Sequence, residues 1–253
     1  MYFDSHAHLD DRRFDADRAE LLNDLKNHDV GMVMNVGCDL PSSERSVALA
    51  EEHDFIYAAV GSHPDDADHV DGRLLDRYRA LAAHKRVRAI GEIGLDYHYE
   101  DVPRAQQILA FEQQLELAEA LKLPVIVHER EAHGDAVEIV RRHPDVRGVF
   151  HCFSSSKELA LWLVERGWYI GFTGVVTFKN ARRAVEAVQA LPLDRILIET
   201  DCPYLTPEPY RGRRNDSRYV PLVAKKIAEL KGISPEEASD ATAQNAKRLF
   251  GID

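Results

Sequence analysis

The sequence predicts an α/β fold of the (β/α)8 or TIM-barrel type. Three observations carry this. Eight short apolar runs rich in β-branched residues recur along the 253 residues. Helical patterns lie between them. No G-x-G-x-x-G follows the first run, which argues against the competing doubly wound open sheet. About 250 residues is the usual length of such a barrel. No Pro/Gly/Ser-rich linker or low-complexity run divides the chain, so it reads as a single domain over residues 1–253.

The expected strands are YFDSH (2–6), VGMVMNVG (30–37), FIYAAVG (55–61), VRAIGEIG (87–94), PVIVH (124–128), RGVFHCF (147–153), YIGFTG (169–174) and RILIETD (195–201). Near-continuous apolar runs suit strands buried on both faces, as in parallel sheets. Among the helices, RAQQILAFEQQLELAEALKL places Ile108, Phe111, Leu115, Ala118 and Leu121 at three- and four-residue steps, one buried stripe. Pro103 suits its first turn. Ser234, Pro235 and Glu237 form a capping-box start for a final helix.

Composition narrows the class. Hydrophobic residues make up 45% and charged residues 30%, as in ordinary globular proteins. No apolar run is long enough to span a bilayer, and no signal-peptide pattern opens the chain. Cys38, Cys152 and Cys202 are odd in number and scattered, which points to reduced thiols and a cytoplasmic location. The net charge of −11 argues against a protein that coats nucleic acid by overall charge. It leaves room for a nucleic-acid enzyme, because bound cations reverse the local field.

Active sites of such barrels lie at the carboxyl ends of the strands. There the sequence places His6 and His8, His63, Glu92, His128, His151 and Asp201. On a strand, His6 and His8 share a face. One His or Glu in an apolar run is more often a hydrogen-bonded buried group than a ligand. Many such groups delivered to one end, each costly to bury unpaired, point to metal. His6, His8, Glu92, His128, His151 and Asp201 are too many for one tetrahedral ion and suit two divalent ions bridged by Glu92. Zn²⁺, Mn²⁺ or Fe²⁺ match imidazole, whereas Mg²⁺ prefers more carboxylate and water. Two ions activate a water and stabilise charge on attacking and leaving oxygens. Asp201 and Glu92 are the expected catalytic carboxylates, Asp201 as ligand and proton acceptor. Cys152 and Cys202 are expected to point away from the ligands and pack. No G-x-S-x-G supports a serine nucleophile.

The motifs DSHAHLD, VGSHPDD, AIGEIGLDY, PVIVHEREAHGD, FHCFSSS, IETDCPYLTPEPYRGRRN and NAKRLFGI together resemble the TatD family of metal-dependent deoxyribonucleases over nearly the whole chain. The resemblance implies His6, His8 and Asp201 at a first metal, Glu92 as bridge, and His128 with His151 at a second, the ions being Zn²⁺, Mn²⁺ or Mg²⁺. It implies that His63 lies near the substrate phosphate. The implied activity is 3′→5′ exonucleolytic cleavage of single-stranded DNA, with a role in DNA repair. RNA is a further substrate class. Removal of D-amino acids from aminoacyl-tRNA is the alternative within the group, and a non-catalytic metal-binding scaffold the alternative outside it. A carbamylated-lysine hydrolase is disfavoured because the fourth strand has no Lys. The expected state is a monomer with no membrane partner. Asn215, Asp216 and Ser217 depart from the family's usual Asn-Glu-Pro, and FHCFSSS from its commoner Ser-Gly-Ser; both leave the ligands untouched.

Beyond the eighth strand, PYRGRRNDSRY carries Arg211, Arg213, Arg214 and Arg218. An isolated basic run is usually a solvated loop. Loops after barrel strands border the site, and guanidinium groups bind phosphate by paired hydrogen bonds. Arg213 and Arg214 are therefore expected to bind substrate, with Tyr204 and Tyr210 stacking on unpaired bases.

Overall fold

Every one of the eight apolar runs forms a strand, and a helix follows each. The structure is a computed structural model and describes residues 1–99 and 101–253. In chain order the elements are β1 (Tyr2–Ala7), α1 (Arg18–Asp24), β2 (Val30–Val36), α2 (Leu40–Glu52), β3 (Ile56–Val60), α3 (Gly72–Ala82), β4 (Val87–Asp96) and α4 (Arg104–Leu121). There follow β5 (Val125–Arg130), α5 (His133–Arg142), β6 (Gly148–Phe150), α6 (Lys157–Glu165), β7 (Tyr169–Phe172), α7 (Arg182–Ala190), β8 (Ile196–Ile198), α8 (Val220–Lys231) and α9 (Pro235–Phe250). The sheet order is the chain order, β1 to β8. No described helix is long and apolar enough to cross a membrane.

Strand ends differ from the expected ones in both directions. β4 runs on to Asp96, two residues past its expected end. β6 and β8 stop early, at Phe150 and Ile198, so His151 and Asp201 lie just beyond their strands. The reason is visible at each end. Cys152 and Asp201 have left-handed backbones, φ 47° and 55°, which a strand cannot contain.

The chain forms two compact units, residues 1–35 with 152–253, and residues 36–151. In the first, β1 pairs in parallel with β2, and β7 with β8. The bridge between Ala7 and Cys202 brings the end of β1 beside the chain leaving β8. Its core includes Phe3, Phe14, Trp168, Phe172, Val223 and Phe250, all nearly or fully buried. Ser234 caps α9 by accepting the Glu237 N–H at 3.1 Å, with Pro235 opening the helix as expected.

In the second unit β3, β4, β5 and β6 pair in parallel. α4 covers them, but its buried face is not the purely apolar stripe expected. Phe111, Leu115 and Ala118 are buried, Ile108 and Leu121 only half so, and Gln107 and Gln114 are buried among them. Pro103 is the residue before the first turn. The glutamines face strand ends whose backbone groups lack ladder partners, and a carboxamide satisfies an N–H and a C=O at once. The Gln114 Oε1 accepts the Ser62 N–H at 2.8 Å, and its Nε2 donates to the Ser62 carbonyl at 3.1 Å. Gln107 treats Asp96 likewise, at 2.9 Å each way.

Replacing Gln114 by Leu keeps the volume and leaves both Ser62 groups buried without these partners. Each such group costs about 1–3 kcal/mol. Gln114→Leu is expected to lose at least ~2 kcal/mol, read as a lower urea midpoint at unchanged slope. An unchanged midpoint removes the clamp from the account.

Candidate metal-binding groups

In the unit of residues 1–35 and 152–253, the two ends of the chain are stitched together. The Asp201 N–H donates to the His6 carbonyl at 2.9 Å, and the His8 N–H donates to the Cys202 carbonyl at 2.9 Å. These bonds set His6, His8 and Asp201 side by side. The His6 and His8 Nε2 atoms are 3.1 Å apart, and Asp201 Oδ1 lies 3.8 Å and 3.3 Å from them. His6 is fully buried and His8 nearly so. The left-handed backbone of Asp201 turns its carboxylate toward the imidazoles, a conformation costly for a non-glycine and common at functional sites.

Two further buried carboxylates back this group, and neither was anticipated. Asp4 accepts the N–H and hydroxyl of Thr200, at 2.8 Å and 2.6 Å. Burial pushes its pKa up to about 7, against the pull of these bonds. Glu199 accepts the Cys152 N–H at 2.5 Å and the Ser5 hydroxyl at 3.3 Å. Gly171 leaves room for it: a Cβ there would stand 2.5 Å from the Glu199 carboxylate. Cys202 is fully buried, and burial pushes its thiol well up, so it packs as expected.

In the unit of residues 36–151, Glu92 is the centre of a second group. Its N–H donates to the Gly37 carbonyl at 2.7 Å, and the His151 N–H to Val127 at 3.0 Å. Glu92 Oε1 lies 2.7 Å from His151 Nε2, 3.0 Å from His128 Nδ1 and 3.7 Å from His63 Nε2. The two facing nitrogens of His128 and His151 are 3.3 Å apart. His63 Nδ1 faces the Asp65 N–H at 3.2 Å and the Asp65 carboxylate at 3.4 Å, which leaves Nε2 toward Glu92. The Cys38 Sγ is 3.6 Å from Glu92 Oε2.

His128 is held on its other side by Asp96, Nε2 to Oδ2 at 3.0 Å. Burial opposes charging of His128, but Asp96 and Glu92 outweigh it and push its pKa up to about 8. Burial raises Asp96 in turn, yet its bonds with His128 and the His98 N–H hold it below the usual carboxylate range. Asp96 also escaped the sequence reading. Four residues after Glu92 on one strand, it shares that residue's face, which was the available signal.

Both groups fit a divalent ion. Donor atoms about 2.1 Å from one ion lie roughly 3–3.5 Å apart, close to the separations in each group. The donors are nitrogen and oxygen from imidazole and carboxylate, which suit Zn²⁺ or Mn²⁺.

The family model described as TatD related DNase matches residues 3–251. The chain is 45% identical over 255 residues to the uncharacterized metal-dependent hydrolase YabD of Bacillus subtilis, covering 100% of both. This chain belongs to the TatD family of metal-dependent hydrolases. It is also 35% identical over 257 residues to the 3′-5′ ssDNA/RNA exonuclease TatD of Cronobacter sakazakii, covering 98% of this chain and 97% of that one. Among solved structures, the TatD homologue YjjV of Escherichia coli superposes with a TM-score of 0.93 at 30% identity, covering 100% of this chain and 98% of that one. The (β/α)8 barrel expected from the sequence is the fold of this TatD-family chain.

The Asn215–Asp216–Ser217 stretch is built into the interior, whereas Ser154 of FHCFSSS is exposed. Asn215 is fully buried and donates to the carbonyls of Thr200 and Tyr204, at 2.9 Å and 2.6 Å. Asp216 caps the turn that follows by accepting the Arg218 N–H at 3.0 Å, and Ser217 is fully buried.

The arginines of this loop divide into two kinds. Arg214 grips Asp17 with two bonds, 2.8 Å and 2.5 Å, donates to the Arg13 carbonyl and covers the Phe14 ring. Arg218 joins Asp24 and Asp216. Arg213 is exposed, with its guanidinium over Tyr210, and Arg211 lies over Phe178. Tyr204 is half-exposed, with the Arg13 guanidinium 4.1 Å from its ring centre. Arg214→Ala is therefore expected to destabilise the protein by about 1 kcal/mol, the part-exposed pair being worth little more. Arg213→Ala should stay within ~0.5 kcal/mol of the parent. Thermal unfolding of the two variants distinguishes them, and equal midpoints contradict the division.

Proposed function

We propose that this chain is a metal-dependent phosphodiesterase that removes nucleotides from the 3′ end of single-stranded DNA or RNA. The observation that carries the proposal is the donor chemistry. His6, His8 and Asp201 form one nitrogen–oxygen set, and Glu92, His128 and His151 another, each with spacing that fits a divalent ion. The relative from Cronobacter sakazakii, named a 3′-5′ ssDNA/RNA exonuclease, supports the choice of substrate.

When bound, two divalent ions, Zn²⁺, Mn²⁺ or Mg²⁺, supply Lewis acidity toward phosphate oxygens and lower the pKa of water. The chain's own residues do the rest. Asp201, held by its backbone bond to His6, accepts the proton of the attacking water at Oδ. His63, whose Nε2 stands 3.7 Å from Glu92 Oε1, lies beside that group as a contact for a substrate phosphate oxygen. Exposed Arg213 attracts the phosphodiester chain, and half-exposed Tyr204 and Tyr210 offer ring faces to unpaired bases. Arg214, already committed to Asp17, serves the loop and not the phosphate.

Two outcomes test the proposal. Chelation should abolish cleavage of a single-stranded oligonucleotide, and Mn²⁺, Zn²⁺ or Mg²⁺ should restore it. Asp201→Asn should lower turnover at least ~100-fold, as the amide is a poor ligand and accepts no proton. Full activity without metal defeats the proposal. Hydrolysis of D-aminoacyl-tRNA with no phosphodiester cleavage replaces it with the deacylase reading.

The substrate loop yields a separate outcome. Arg213→Ala should raise KM for DNA and flatten its salt dependence, because one phosphate contact fewer releases fewer counterions. Turnover at saturation should change less. Equal KM and equal salt slopes assign Arg213 to the solvated surface.

A further inference from the structure

Asp96 is 2% exposed and ends β4 four residues after Glu92. Both of its carboxylate oxygens are engaged. Oδ1 accepts the His98 N–H at 2.8 Å, and Oδ2 faces His128 Nε2 at 3.0 Å. Its backbone is pinned on both sides by Gln107, so the carboxylate has little freedom to turn. His128 is thus gripped between two carboxylates, with Nε2 on Asp96 and Nδ1 on Glu92.

We propose that Asp96 is a positioning residue that keeps the His128 proton on Nε2 and so presents a bare Nδ1 to the Glu92–His151 group. The inference rests on the reading of Glu92, His128 and His151 as ligands of a divalent ion. A neutral imidazole carries one N–H, and only its other nitrogen can donate electrons to a metal. Glu92, 3.0 Å from Nδ1, draws the proton to the wrong nitrogen. Asp96 draws it to the other, with its second oxygen tied to the His98 N–H and its backbone tied to Gln107. A ligating histidine whose second nitrogen donates to a carboxylate is the usual arrangement around metals. Here that partner also decides which of two unlike nitrogens faces the ion.

The geometry makes Asp96→Asn a sharp substitution. An amide has one acceptor oxygen where the carboxylate has two. The His98 N–H is fixed by the backbone and takes that oxygen. The NH2 group then faces His128 Nε2, which must become an acceptor, and the proton moves to Nδ1. The same exchange beside a protease histidine fixes the imidazole in the wrong tautomer. Asp96→Ala removes the grip without imposing the wrong one. A purely packing role for Asp96 predicts the reverse order, with the near-isosteric Asn mild and the cavity-forming Ala severe.

The experiment is a Zn²⁺ titration of chelator-treated full-length protein, wild type and both variants, with circular dichroism to confirm folding. Nitrogen-15 NMR of the zinc-loaded protein, labelled at histidine, reports which His128 nitrogen keeps its hydrogen. Wild type should bind zinc at both groups with the His128 hydrogen on Nε2. Asp96→Asn should weaken the second zinc about 10- to 100-fold and lose the Nε2–H signal. Asp96→Ala should weaken it less. Wild-type affinity and an unchanged Nε2–H signal in the Asn variant, or greater loss in the Ala variant, overturn the inference while the metal reading stands. Should wild type take up no second zinc, the metal reading falls and this inference with it. The wild-type spectrum decides the assignment even where a variant does not fold, since a zinc-loaded His128 with its hydrogen on Nδ1 refutes it outright.

Discussion

Among the carboxylates buried in the described residues are Asp4 within β1, Glu92 and Asp96 on β4, and Glu199 just beyond β8. Removing an ionised group from water costs several kcal/mol unless something answers it. That cost governs what surrounds each one. Asp4 is answered by the N–H and hydroxyl of Thr200, and burial still pushes it up to about 7. Glu199 takes a backbone N–H and a serine hydroxyl, and a glycine opposite makes room. Asp96 takes one N–H and one imidazole. Glu92 differs: within its unit it faces the imidazoles of His63, His128 and His151. An acid whose neighbours are three weak bases is a poor way to build a stable core and a good way to build a ligand set.

Much of this was legible in the chain. The period of the apolar runs revealed eight strands and the helices between them, because burial on both faces leaves a signal that needs no tertiary knowledge. The spacing of His6 and His8 placed them together for the same reason. Strand lengths were less legible, since Cys152 and Asp201 leave the strand by a backbone state that neither residue type announces. Reading β4 as ending at Gly94 hid Asp96, although the alternation that places Glu92 on one face places Asp96 there too. Gln107 and Gln114 escaped because polar residues at the edge of an apolar stripe look solvent-facing until the strand ends beneath them are known.

The arginine-rich loop shows a different limit. Four guanidinium groups within eight residues are alike in sequence, yet Arg214 and Arg218 find Asp17 and Asp24 from the other end of the chain, while Arg213 stays at the surface. Which arginine stays exposed depends on pairings separated by nearly two hundred residues. No local pattern contains that information.

A common device holds the residues of both groups in place. Four buried carboxamides pin backbone beside them, and a fifth anchors the start of β8. Asn35 accepts the Leu9 N–H next to His8, and Gln114 holds Ser62 next to His63. Gln107 holds Asp96, and Asn215 holds Thr200 next to Asp201. Asn245 reaches from α9 to the carbonyls of Leu193 and Ile196 at the start of β8. A carboxamide donates and accepts without carrying charge, so it fixes backbone without adding a coulombic field to the ionisable groups nearby. A lysine or aspartate in these positions would anchor the backbone as firmly, but its field would act on every imidazole and carboxylate within a few ångströms. Neutral amides thus separate two tasks that charged residues would confound. They set where His8, His63, Asp96 and Asp201 stand, and leave the protonation of those side chains to be decided largely among the imidazoles and carboxylates themselves.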